Sequence, residues 1–137
     1  MRALLDTNVL IDYLAMRQPF TENAEKIITL CRDNVIEGVI AAHSVMNIFY
    51  ILRKSFSVDE RRAILTDLCE LFTVVGIDKA KIISALGNYS FSDIEDCLQA
   101  VCAEISAVDY IVTRNIKDFQ SSKVPVVTPS EFLTLIK

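Results

Sequence analysis

Glycine and proline are scarce in this chain, three of each in 137 residues, and tryptophan is missing. That scarcity excludes collagen-like and Gly/Pro-rich disordered chains, and the lack of any charge block or low-complexity run excludes an extended solvated tail. There is one histidine, His43, and none of the four cysteines (Cys31, Cys69, Cys97, Cys102) stands in a CxxC pair. A zinc ribbon or finger is therefore excluded. The cysteines fall in apolar segments of helical period and read as buried, reduced thiols of a cytoplasmic protein. No apolar run approaches the roughly 20 residues needed to cross a bilayer, and Ala3-Leu4-Leu5, ended at once by Asp6, reads as a strand rather than a signal peptide. No membrane association is expected. Basic residues are outnumbered, 14 Lys and Arg against 18 Asp and Glu for a net charge of -4. This argues against a surface that coats nucleic acid by charge alone. Were nucleic acid the substrate, metal ions or local Arg and Lys would have to offset the acids.

What is present is enough for one domain over residues 1–137. Just over half of the residues are apolar, and a chain of this size buries a full core without disulfides. Short apolar runs alternate with segments of helical period, the pattern of an α/β fold with a largely parallel sheet. Strands are predicted at Arg2–Leu5, Val39–Ala42, Thr73–Ile77, Tyr110–Thr113 and Val124–Val127. Capping boxes are predicted at Ser57-Val58-Asp59-Glu60, Ser92-Asp93-Ile94-Glu95 and Thr128-Pro129-Ser130-Glu131, the last with Pro in the first helical position. Single-residue caps are expected at Thr21, Ser44 and Asp78.

In an open α/β sheet, ligands bind outside the carboxyl ends of the strands. Asp6, Thr7 and Asn8 close the first strand. Ser44 and Asn47 follow the second, with Asn47 expected in the first turn of its helix. Asp93 and Asp96, three apart, share a helix face, and Thr113, Asn115 and Asp118 follow the fourth strand. Four segments thus converge on one edge of a parallel sheet. Glu95 is rotated about 100° away around its helix. Crowded carboxylates repel and call for a cation, and Mg²⁺ or Mn²⁺ prefers such oxygen ligands. Taken singly, each group has a structural reading: first-turn acids complement the helix dipole, and Asp6-Thr7-Asn8 suits an Asx-type turn. Only their joint placement favours chemistry. Asp12 reads as a solvent-facing helix position, His43 as a packed or capping side chain, and Phe49 and Tyr50 as core. Arg53, Lys54, Arg61 and Arg62 form the densest basic cluster and read as a solvated face.

Leu4-Leu5-Asp6-Thr7-Asn8-Val9-Leu10 resembles the opening motif of PIN domains, which include VapC-type toxin ribonucleases. Asp96-Cys97-Leu98-Gln99-Ala100 is similar to the family's central Asp-Ala-x-x-Ala helix. Tyr110 to Asn115, through Asp118-Phe119, resembles its Thr-x-Asp-x-x-Phe region, and Pro125 to Pro129 with Glu131-Phe132 its last strand and helix. The resemblance spans essentially the whole chain. It implies a three-layer PIN-like fold, a central five-stranded, mostly parallel sheet flanked by helices. It also implies a divalent-metal-dependent endoribonuclease in the cytoplasm, acting as the toxin of a toxin-antitoxin pair. RNA would be the substrate, an antitoxin protein the partner, and a homodimer the assembly. Apart from the resemblance, an apolar helical face in the Phe49 to Phe56 region offers an interface for such a dimer.

In that reading Asp6, Asp93 and Asp96 are catalytic. With Asp118 they hold Mg²⁺ or Mn²⁺, while Thr7, Asn8, Ser44, Asn47, Thr113, Arg114 and Asn115 orient ligands or substrate. Two departures stand out: Asn47 replaces a Glu common in the family, and Asn115 replaces the acid of Thr-x-Asp. An amide brings no negative charge to a cation. The alternative is therefore a catalytically weak or inactive PIN-like module that binds RNA or a protein partner. In the metal-enzyme reading, Asn47→Glu and Asn115→Asp are expected to raise metal affinity. An aspartyl-phosphate enzyme with Asp6 as nucleophile fits less well, because Asn8 stands where haloacid-dehalogenase-like phosphatases usually carry a second Asp.

Overall fold

The computed structural model describes residues 1–136. Five strands form one sheet: β1 (Arg2–Leu5), β2 (Glu37–Ala41), β3 (Thr73–Val75), β4 (Tyr110–Val112) and β5 (Val126–Val127). Their order is β3-β2-β1-β4-β5, and every neighbouring pair is parallel. The expectation of a mostly parallel sheet is met in full. Four of the predicted strands are shifted or trimmed: β2 begins at Glu37 and stops at Ala41, β3 stops at Val75, β4 stops at Val112 and β5 begins at Val126.

Period-two alternation assigns the residues of the central strands to two cores. Ala3 and Leu5 of β1, Ile40 of β2 and Val112 of β4 pack with the helices α1 (Thr7–Leu14), α2 (Thr21–Arg32), α3 (Ala42–Ile51) and α4 (Val58–Leu71). Phe132 of α7 (Pro129–Leu135) joins the same cluster. Leu4, Val39, Ala41 and Ile111 point the other way, toward α5 (Lys79–Leu86) and α6 (Ile94–Ile105). Ala3, Leu4 and Leu5 are all fully buried, as a strand covered on both faces requires. Ala100 and Ala103 of α6 are also buried. Gly38 has a packing reason too, since a Cβ there would lie 2.3 Å from the Phe72 ring.

The capping boxes at Ser57 and Thr128 and the Asp78 cap form as expected. Three other caps need correction. Asp93, not Ser92, caps α6, because its carboxylate reaches the N–H groups of both Glu95 and Asp96. Thr21 is the first helical residue of α2 and makes no side-chain cap bond. Because α3 begins at Ala42, Ser44 lies inside its first turn rather than capping it, and Asn47 falls in the second turn. Cys31, Cys97 and Cys102 are buried free thiols, whereas Cys69 is exposed on α4, where the helical period turns it outward. Tyr50 also leaves the core, at 62 % exposure. Arg61, expected on a solvated face, is buried and donates to the Phe49 carbonyl at 2.8 Å. Among the described residues no helix is long and apolar enough to cross a membrane.

Candidate functional site

Strand order reverses at the centre of the sheet: from β1 the chain builds outward through β2 and β3, then returns to place β4 on the other side of β1. Such a switch point opens a crevice at the carboxyl ends of the two central strands. Asp6 stands at the end of β1 and remains in the ladder, its N–H donating to the Val112 carbonyl at 3.0 Å. The register pairs Leu5 with Val112, so Asp6 and Thr113 are the next neighbours across the strands. Alternation puts both side chains on the α6 face with Leu4 and Ile111. There the Thr113 hydroxyl donates to Asp6 Oδ2 at 2.6 Å, and the Gln99 amide of α6 donates to Asp6 Oδ1 at 2.8 Å.

Asp6 is 5 % exposed, and among the described residues no Lys or Arg pairs with it. Burial pushes its carboxyl up, opposed by the bonds from Thr113, Gln99 and the Thr7 backbone and reinforced by the negative charge of Asp118. Asp96, on the first turn of α6, is pushed up from 3.8 to about 7, first by burial and then by Asp6, Asp93, Asp118 and Glu95. Carboxylates from β1, α6 and the turn after β4 therefore raise one another's proton affinity.

The surrounding polar residues are arranged in hydrogen-bonded pairs. Thr7 Oγ1 donates to Ser44 Oγ at 2.9 Å, joining the start of α1 to that of α3. Asn8 bridges to the β4 exit through long contacts of 3.5 Å to the Thr113 hydroxyl and the Arg114 N–H. The Asn115 N–H donates to Thr113 Oγ1 at 3.0 Å, so that hydroxyl is oriented from behind while it serves Asp6. Asp93 spends one carboxylate oxygen on the cap of α6, at 2.7 and 3.3 Å.

The chain matches the model of the PIN domain over residues 2–117. It belongs to the PIN domain family. The architecture agrees with solved PIN-like structures at low identity. A toxin-antitoxin complex from Klebsiella pneumoniae matches with a TM-score of 0.66 and 23 % identity, covering 93 % of this chain and 97 % of that one. VapBC2 from Rickettsia felis bound to a promoter DNA fragment gives 0.65 at 17 % identity, with 93 % and 98 % covered. VapBC-1 from nontypeable Haemophilus influenzae gives 0.66 at 17 % identity, with 95 % and 99 % covered. Comparison with curated proteins returns no match.

Against the PIN pattern, the departure at Asn47 has a structural sequel. Its side-chain amide donates to Glu95 Oε2 at 3.0 Å. An acid from α6 thus stands against the Asn47 amide on α3. Glu95 was assigned away from the site by its rotation on the helix. Its long side chain reaches α3 regardless, and its charge acts on Asp96. His43 also takes part: its Nε2 lies 3.0 Å from the Glu95 carbonyl, and burial keeps the ring toward its neutral form against the pull of Glu95, Asp6 and Asp93. Gln99, inside the central motif Asp96 to Ala100, has no sequence-predicted role, although its i+3 spacing from Asp96 places the two on one helix face.

Two readings are corrected at the opposite side of α1. Asp12 is not solvent-facing; it is 1 % exposed. Arg114 clasps it with Nε at 2.6 Å and a second guanidinium nitrogen at 3.2 Å, and lies 4.1 Å over the Phe20 ring. Arg114 is thus committed to an ion pair instead of standing free to orient a ligand.

Among the described residues no group of three or more His, Cys, Asp or Glu side chains is close enough to hold a metal ion. Asp6 already accepts on both oxygens and Asp93 on one, so further ligation has to share their remaining lone pairs or shift them. The chemistry of the donor set nevertheless fits a hard cation. It consists of oxygens, and the groups that raise Asp96 beyond its burial are all acids.

Proposed function

We propose that this PIN domain is a divalent-metal-dependent endoribonuclease, with Asp6 and Asp96 as the central metal-holding pair. The observation that carries the reading is the through-space coupling of acids around a carboxylate fixed at the switch point of the sheet. Membership of a family whose members are generally nucleases supports it. Asp6 and Asp96 would hold Mg²⁺ or Mn²⁺, with Asp118 and Asp93 adding charge at the rim. A bound ion supplies charge to offset the phosphodiester and makes water acidic enough to attack near neutral pH.

The chain's own groups prepare for this. Thr113 and Gln99 donate to Asp6 and so favour its ionised form despite burial. Asn47 carries Glu95 toward α3, restoring a negative charge that its own amide lacks. Thr7, Ser44, Asn8 and Asn115 hold the ends of α1, α3 and β4 in register around the acids. RNA is the substrate in this reading and the cytoplasm its setting. An antitoxin is the partner, supported by similarity in fold to proteins whose structures are titled as toxin-antitoxin or VapBC complexes. A homodimer is supported by Met46, Tyr50 and Ile51, exposed on α3.

One observation favours a second reading, a non-catalytic module binding RNA or protein: no three acids already stand at ligand spacing among the described residues. Mn²⁺ titration by calorimetry, followed by incubation with a mixed RNA pool, separates the two. The metal-nuclease reading expects binding and cleavage that are lost in Asp6→Asn and Asp96→Asn. An absence of heat at millimolar Mn²⁺ would sink it.

A further inference from the structure

Gln99 is 2 % exposed, and its two amide atoms are treated very differently. Nε2 donates to Asp6 Oδ1 at 2.8 Å. Oε1 is buried with no hydrogen-bond partner among the described residues. A buried carbonyl oxygen without a donor is a standing penalty that an apolar side chain of similar volume would not carry. Flipping the amide gives no relief. Oε1 would then face the Asp6 carboxylate, acceptor against acceptor, and the two N–H groups would be stranded where the orphan oxygen now sits. The orientation is therefore dictated by Asp6, and only the donor half of the amide has work to do.

The same residue has a fixed position. It lies three residues after Asp96 and so on the same face of α6, between the buried Leu98 and Ala100. Its backbone is locked in mid-helix. On the other side of Asp6, Thr113 donates to Oδ2, and Thr113 is in turn held by the Asn115 N–H. With a donor on each oxygen, the Asp6 carboxylate is fixed in rotation about its own bond and aimed from two rigid elements, β4 and α6.

We propose that Gln99 is a positioning residue of the metal site: its amide N–H orients the Asp6 carboxylate for the cation. The inference rests on the reading of Asp6 as a metal-holding residue. Groups in this relation to a ligand commonly change metal affinity by about 10- to 100-fold when removed.

The test is a separation of stability from affinity. Gln99→Leu and Gln99→Met fill the volume without a donor and remove the orphan oxygen. Each removes one buried orphan but strips Asp6 Oδ1 of its donor, so the two changes offset and the melting temperature is expected to stay near that of the parent protein, while Mn²⁺ affinity measured by calorimetry falls about 10- to 100-fold. Unchanged Mn²⁺ affinity in variants that fold overturns the inference while leaving the metal site standing. A parent protein that binds no Mn²⁺, and does not differ from Asp6→Asn in that respect, removes the metal reading itself and the inference with it. A second measurement covers the case in which the variants do not fold. The Gln99 side-chain amide resonances of the parent are expected to shift on addition of Mg²⁺ and to lose that response in Asp6→Ala. Resonances that ignore Mg²⁺ while backbone signals around Asp6 move would overturn the inference.

Discussion

Two aspartates in the first twelve residues end up almost completely buried, Asp6 at 5 % exposure and Asp12 at 1 %, yet their surroundings are opposite. Asp12 meets a guanidinium through two short contacts, the planar fork geometry that best repays the desolvation of a carboxylate. Asp6 meets only neutral donors, Thr113 and Gln99, and lies within reach of the charge of Asp118. A buried acid with its own cation is a finished structural element. A buried acid fixed by neutral donors and acted on by another acid has no such partner, and that difference supports the proposal that Asp6 belongs to the functional site.

Breaking the Asp12 side of the comparison is expected to have the largest effect. Asp12→Ala leaves the Arg114 guanidinium largely buried without its partner and should lower unfolding stability by on the order of 3 kcal/mol, read from the midpoint of a urea titration. Little or no loss would mean that the pair is solvated and the contrast with Asp6 false.

The corresponding change at Asp6 should act in the other direction. In Asp6→Asn the amide oxygen can still accept from Gln99, and the amide N–H₂ can donate to the Thr113 hydroxyl, while the buried charge disappears. Without added metal the variant should be more stable by on the order of 1 kcal/mol, even as Mn²⁺ binding is lost. A stability loss like that of Asp12→Ala would show that the two aspartates do the same structural work.

Asp96 sharpens the comparison through pH. Its carboxyl is raised in the folded protein to about 7 from 3.8. The folded state therefore binds this proton more tightly than the unfolded chain. The resulting stability is fully present below about pH 4 and is lost as pH rises through about 7. Asp96 is partly exposed, so solvent screening keeps the effect modest. The melting temperature of metal-free protein should drop by roughly 3 °C between pH 5 and pH 8 on this account. Asp96→Asn should flatten that part of the profile, and Mg²⁺ should recover the loss at pH 8. A profile that is unchanged in Asp96→Asn would remove Asp96 from the coupled set.

The smallest effect is expected at the Asn47–Glu95 pair, which is exposed. Glu95→Gln should leave the melting temperature within about 1 °C, because exposed hydrogen bonds contribute little, but weaken Mn²⁺ binding severalfold. Asn47→Glu, expected from sequence to raise metal affinity, now places a carboxylate against Glu95 at the end of a 3.0 Å contact. It should help only when combined with Glu95→Gln. If Asn47→Glu alone tightens Mn²⁺ binding, Glu95 is not the acid that serves that position.

Part of this was legible beforehand. The strands, the parallel sheet and the position of Asp6 at the end of β1 follow from short apolar runs and period-two alternation, which are local signals. The motif order carried the family. Asp12 was misjudged because helical period places it on a face without saying what covers that face, and its cover is Arg114, 102 residues later. Glu95 was misjudged because an angle around a helix axis ignores the reach of a long side chain. Gln99 was missed because a glutamine among apolar residues carries no local signal, and only the packing of α6 against β1 gives it a partner.

By itself the sequence determined the order of the strands and helices, the end of β1 before Asp6 and the caps at Ser57, Asp78 and Thr128, since hydrophobic period and capping chemistry are written within a few neighbouring positions. The tertiary structure alone decided which buried acid meets a guanidinium and which meets neutral donors. That outcome depends on groups brought together across about a hundred residues by the crossing of β4 beside β1, and a carboxylate's charge balance is set by what surrounds it in space.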